Sequence, residues 1–180
     1  MALIGLIALT VGGPAMAAEV SVETVPGDVR RTTLIVRDID RSLVLYRDIL
    51  GFRAWYDNEI VVTGVGLPAG RPNSQTRLVI LRGSQDWVGM IGLLEFKDPP
   101  LPDAGAYPTR LGVGDVVFVL NTADVDAAFD RIKALDGVTV QSPPNTQEYP
   151  SADGQGIVRV RGMTFFDPDG YFFELNERLD

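Results

Sequence analysis

The chain has 180 residues, 46% of them hydrophobic and 22% charged, an ordinary globular composition that suits one domain or two small modules sharing a core. Its formal net charge of -8, with no run of Lys or Arg, argues against a nucleic-acid partner, which would need a basic stripe. The chain has no Cys and no His, which excludes disulfides, thiolate nucleophiles, Ser-His-Asp triads and every metal site built on imidazole or thiolate. What chemistry remains belongs to carboxylates, Arg, Lys, Tyr, hydroxyls and backbone.

At the N-terminus an apolar run, Ala2 to Val11, is broken by Gly12, Gly13 and Pro14 and followed by Ala15-Met16-Ala17. This pattern reads as a signal peptide over residues 1–17, although the usual Lys or Arg before the run is missing. The run is too short for a membrane span, which needs about 20 apolar residues. The expected mature protein is therefore periplasmic or secreted, with no membrane association after cleavage. The competing reading is a buried N-terminal strand or helix.

The remainder repeats one plan. In the first half Thr32 to Val36 is a β-branched run that predicts a strand, and Asp38 or Asp40 can cap the helix after it. Leu43, Tyr46 and Leu50 fall on one helical face, and Gly51 supplies the stop, so a helix is expected over about Arg41 to Leu50. Strands are expected over Phe52 to Val62, Thr76 to Leu81 and Met90 to Phe96. Asp98 to Pro108, rich in Pro and Gly, reads as a linker.

The second half follows the same order. Val116 to Leu120 predicts the strand and Asp124 the cap. Val125, Ala128, Phe129, Ile132 and Leu135 form the buried stripe of a helix that Gly137 ends. Strands are expected over Val138 to Gln141, Ile157 to Phe166 and Tyr171 to Leu175, the last two joined by the turn Asp167-Pro168-Asp169-Gly170. That turn lacks the later ligands of a calcium loop. Gly64-Val65-Gly66 with Gly70 lacks dinucleotide-loop spacing and reads as a flexible loop, while Trp55, Tyr56 and Trp87 read as packing or sheet-surface residues.

The predicted fold class is α+β, with two βαβββ modules at about 30–97 and 113–177 whose curved mixed sheets form a shared cleft. Matching the halves pairs Arg31 with Asp115 on the first strands, and Glu95 with Glu174 on the last. A carboxylate inside an apolar strand is costly to bury unpaired, so these residues are expected to point into the cleft. The bland alternative is that they belong to the solvated face of an antiparallel sheet.

The opening Thr32-Thr33-Leu34-Ile35-Val36-Arg37-Asp38-Ile39-Asp40-Arg41-Ser42-Leu43, continuing through Tyr46 and Leu50-Gly51-Phe52, resembles the first module of glyoxalase, bleomycin-resistance and extradiol-dioxygenase (vicinal oxygen chelate) proteins. The ending Phe166-Asp167-Pro168-Asp169-Gly170-Tyr171, then Glu174-Leu175, resembles their closing strand pair. The resemblance covers about residues 31 to 177, within a domain placed at 28–177. It implies metal ligands on the first and last strands of each module, here Arg31, Glu95, Asp115 and Glu174. Arg and Asp replace the usual His or Gln of the first strands. A guanidinium has no lone pair to offer a cation, so Arg31 cannot ligate one.

Three functional expectations follow. The first is a protein that binds a small molecule, anionic or polar, through Arg31, Glu95 and Asp115, without a histidine-ligated metal. The second is a glyoxalase-like lyase or isomerase with Glu174 as base, or with Glu95, Asp115 and Glu174 holding a weakly bound Mg, Mn or Ca. The third is a non-catalytic interaction domain. The expected partner is a small-molecule ligand, with a homodimer left open.

Overall fold

The computed structural model describes residues 27–103, 105 and 108–179. The expected signal peptide at 1–17 lies outside the described residues. Two modules follow each other in the chain. The first contains β1 (Arg31–Ile35), helix α1 (Ile39–Leu43, continued by a π-helical segment, Val44–Ile49), β2 (Arg53–Val62), β3 (Ser74–Arg82) and β4 (Met90–Asp98). The second contains β5 (Val117–Asn121), α2 (Val125–Ile132), β6 (Thr139–Pro150), β7 (Ile157–Phe166) and β8 (Phe172–Arg178).

Each module folds its four strands into one mixed sheet, in the order β1-β4-β3-β2 and β5-β8-β7-β6. The first and last strands of each module run parallel, and the other neighbours are antiparallel. The two βαβββ modules expected from the internal repeat are therefore present. Beta-6 is far longer than the stretch Val138 to Gln141. Pro143 and Pro144 hid its continuation, because proline ordinarily interrupts a ladder. The strand carries them on a sheet edge, where the register slips between Val140 and Ser142 and again between Ser142 and Asn145.

The helices start where the caps predict. Asp38 accepts from the Arg41 backbone N–H at 3.0 Å, and Asp124 from the Ala127 N–H at 2.8 Å. Gly51 and Gly137 sit at φ values of 77° and 82°, the left-handed stops expected of them. The π-helical segment departs from expectation. Leu45 is fully buried beside Tyr46, off the simple helical stripe, because the wider turn swings both into the core.

One contiguous core joins the modules. It takes Leu34, Val79, Leu81, Ile91 and Leu93 from the first sheet, and Met163, Phe165, Phe173 and Leu175 from the second. Leu43, Leu45 and Tyr46 from the first helix and Val125, Ala128 and Ile132 from the second lie among them. The Tyr46 ring meets Phe173 edge-on at 5.7 Å, so aromatic packing crosses the module boundary. Arg41 Nη2 also donates to the Asp136 carbonyl at 2.9 Å, and Arg131 Nη2 donates to the Asp48 carbonyl.

The strand ladders fix which residues of the two halves correspond. The last rung of β1 on β4 is Ile35 opposite Leu94, and the last rung of β5 on β8 is Asn121 opposite Asn176. Each comes three residues before its capping Asp. Stepping back along the rungs pairs Arg31 with Val117, Gly92 with Glu174, and Glu95 with Glu177. The expected matches of Arg31 with Asp115 and Glu95 with Glu174 are thus off by two and three residues. An odd slip matters most, because it turns a side chain to the opposite face of the sheet.

The corrected match exposes a polar clamp built twice. Glu95 Oε2 accepts from the Ile39 backbone N–H at 3.1 Å, and Glu177 Oε2 from the Val125 N–H at 3.0 Å. These are the first N–H groups of the two helices, which have no partner inside the helix. Beside them Arg77 pairs with Asp40 at 2.8 Å, and Arg161 with Asp126 at 2.7 Å. Glu95 therefore faces the helix, and its place in an apolar strand is explained by capping.

Candidate functional site

A cavity of about 800 Å³ lies where the two modules meet, bordered by the linker. Six consecutive residues, Thr32 to Arg37, form one wall. Side chains alternate along a strand, so an unbroken run in a wall means that the edge of β1 borders the space. Gly114 to Val116, Phe118, the segment Asp169 to Phe172 and the linker residues Pro100 to Asp103 line it as well. Phe96, Leu101, Leu111, Phe118 and Phe172 make the walls largely apolar. The volume and the mixture of apolar walls with a few fixed polar groups are those of a small-molecule site.

The polar part of the wall is anchored by the turn Asp167 to Gly170. Asp167 is only 1% exposed. Its Oδ1 accepts from the backbone N–H groups of Asp169 at 2.9 Å and Tyr171 at 2.8 Å, and its Oδ2 accepts from the Tyr46 hydroxyl at 2.6 Å. Burial pushes the Asp167 carboxyl up to about 6, although the Tyr46 hydroxyl and the Tyr171 N–H pull it back. The Tyr46 hydroxyl is held well above the ordinary phenol range, first by burial and then by the charge of Asp167. A helix of the first module thereby holds the turn that builds the cavity wall in the second.

Two residues leave that turn for the cavity. Asp169 accepts from the Arg37 backbone N–H at 3.1 Å and from Arg37 Nη1 at 3.0 Å. The other side of the same guanidinium reaches Asp103 of the linker at 2.6 Å. Tyr171 does something less usual. Its hydroxyl accepts from the Ile35 N–H and donates to the Ile35 carbonyl, both at 3.0 Å. A single hydroxyl thus satisfies both backbone groups at one position of an unpaired strand edge.

The residues expected to form the site are dispersed. Asp115 is in the cavity wall, where its Oδ2 accepts from the Gly112 N–H at 2.6 Å. Glu95 is on the α1 N-terminus, as described above. Glu174 lies on the face of the second sheet turned away from the core, bonded to Asn176 at 2.6 Å beside a hollow of about 70 Å³. Arg31 is exposed on the corresponding face of the first sheet, and its Cδ lies 3.2 Å from where a Cβ on Gly92 would stand. Among the described residues Arg31 makes no ion pair and no three acidic side chains form a metal-holding group. Glu95, Asp115 and Glu174 therefore do not come together. The equivalent first-strand and last-strand positions are Arg31, Val117, Gly92 and Glu174, which offer a cation one oxygen donor group. This donor set does not fit a resident Mg, Mn or Ca.

Sequence reasoning missed Arg37, Tyr46, Asp167, Asp169 and Tyr171 as site-building residues. The turn was visible in the sequence, but its contacts with the first module are more than a hundred residues apart in the chain. One available signal was the buried acid: an Asp between two apolar strands needs donors.

The profile of the Glyoxalase/Bleomycin resistance protein/Dioxygenase superfamily matches residues 28–175. The chain belongs to this superfamily. A glyoxalase family protein from Bacillus cereus superposes with a TM-score of 0.66 at 16% identity, covering 91% of this chain and 100% of its own. The antibiotic-binding protein TnmS3 from Streptomyces sp. CB03234 gives 0.49 at 20% identity, over 87% of this chain and 99% of its own. The fosfomycin resistance protein FosX from Listeria monocytogenes, solved with Mn(II) and sulfate, gives 0.48 at 19%, over 86% and 93%. These likenesses concern the fold. No curated protein matches the chain.

Proposed function

We propose that this superfamily member binds a small, largely apolar molecule, neutral or cationic, in the cavity between its modules. One observation carries the reading: a space of about 800 Å³ with aromatic and aliphatic walls, in which three carboxylates, Asp103, Asp115 and Asp169, accompany one guanidinium, Arg37. That guanidinium is already engaged by Asp103 and Asp169. An anion entering the cavity would meet a net negative wall, whereas a protonated amine would not. This reverses the sign of the ligand expected from Arg31, which lies outside the cavity walls.

The test is a pair of titrations of ¹⁵N-labelled protein with phenethylamine and with phenylpropionate, matched in size and opposite in charge. The amine is expected to perturb the amides of Asp115, Asp169 and Tyr171 saturably, and the acid to bind at least about tenfold more weakly, a difference of about 1.4 kcal/mol. Val116→Trp, which places an indole in the wall, is expected to abolish the amine response. Tighter binding of the acid, or a response that survives Val116→Trp, would refute the assignment.

A further inference from the structure

The ladder between β1 and β4 has a consequence for what the cavity recognises. In this parallel pair the Val36 N–H donates to the Leu94 carbonyl at 3.0 Å, so even-numbered residues of β1 turn their backbone groups toward β4. Odd-numbered residues turn theirs the other way. Ile35 shows where that way leads, because its N–H and carbonyl meet the Tyr171 hydroxyl inside the cavity wall. Thr33, two residues earlier, presents its N–H and carbonyl on the same side, along the same wall.

We infer that the cavity takes a short, extended, amide-bearing molecule with a free ammonium end, pairing its backbone with Thr33 on the open edge of β1. The inference rests on the small-molecule reading and names its ligand class. A strand edge presents a donor and an acceptor with the spacing of a peptide unit, and an added strand satisfies both. Tyr171 marks the end of the available edge, since its hydroxyl already occupies the next position. Phe96, Leu101, Leu111 and Phe118 of the cavity lining offer apolar surface to the side chains of such a ligand. The ammonium has a partner in Asp115. Its carboxylate accepts only the Gly112 N–H, and among the described residues no cation pairs with it.

The experiment uses the full-length protein and four probes. These are valyl-alanyl-phenylalanine amide with its free N-terminus, its N-acetylated form, the same tripeptide methylated on the alanine nitrogen, and phenethylamine. The unmodified tripeptide is expected to bind saturably and to shift the Thr33 amide. Methylation removes the donor aimed at the Thr33 carbonyl and is expected to weaken binding about tenfold. Asp115→Asn is expected to weaken the free tripeptide about threefold or more, and to leave its N-acetylated form unchanged. Equal affinity of the methylated and unmethylated tripeptides would overturn edge pairing. Saturable binding of phenethylamine with no tripeptide binding would overturn the ligand class while leaving the small-molecule reading in place. Saturable binding of neither would overturn both.

Discussion

Replacing Tyr46 by Phe removes one hydroxyl from the contact between the modules. In the native protein that hydroxyl donates to a carboxylate that is 1% exposed, at 2.6 Å. Above pH 7 Asp167 is ionised, since its carboxyl titrates at about 6. Losing a hydrogen bond to a buried charged acceptor costs about 1.5–3 kcal/mol, and the ring itself keeps its packing against Phe173. Near pH 4.5 the carboxyl is protonated and the lost bond is one between neutral groups, worth about 1 kcal/mol. The penalty of Tyr46→Phe should therefore shrink by about 1–2 kcal/mol between pH 7.5 and pH 4.5. Urea denaturation at both pH values, with the slope checked for constancy, measures it directly. A penalty that is equal at the two pH values, or below about 0.5 kcal/mol at pH 7.5, would refute the assignment of this pair as the tie between first helix and cavity turn.

Three further outcomes are expected. Asp167 has a folded value of about 6 against an ordinary 3.8, so the folded state holds the extra proton between those values and stability falls as pH rises through about 4 to 6. In Asp167→Asn that fall, about 2–3 kcal/mol at most, should vanish from the pH profile of thermal melting; an unchanged profile would sink the burial argument. Tyr171→Phe should leave the Ile35 N–H and carbonyl without their hydroxyl partner. Amide exchange at Ile35 is expected to accelerate about tenfold, while exchange at Leu34, bonded on the β4 side, should stay within a factor of two. Finally, cleavage after Ala17 should leave Ala18 at the N-terminus of native material. Recovery of intact Met1 by mass spectrometry would count against export.

The sequence by itself determined the elements and their repetition. Asp38 and Asp124 before apolar helical stripes, Gly51 and Gly137 after them, and the turn from Asp167 to Gly170 are local signals, because caps and turns depend on residues a few positions apart. Tertiary structure decided the register and therefore the site. Their like places inside apolar strands matched Glu95 with Glu174, but the ladders make Glu95 the equivalent of Glu177, and an odd slip reverses a strand's faces. Glu95 then proves to be a helix cap and Glu174 a residue of the sheet face turned away from the core, while Gly92 and Val117 occupy the other equivalent places. The cavity was illegible for the same physical reason. Its walls join Thr33 and Ile35 to Tyr171, and Arg37 to Asp103 and Asp169, across separations at which sequence carries no periodic signal. Those contacts exist only once the shared core has brought the modules together, with Tyr46 of the first helix reaching Asp167 of the second module's turn.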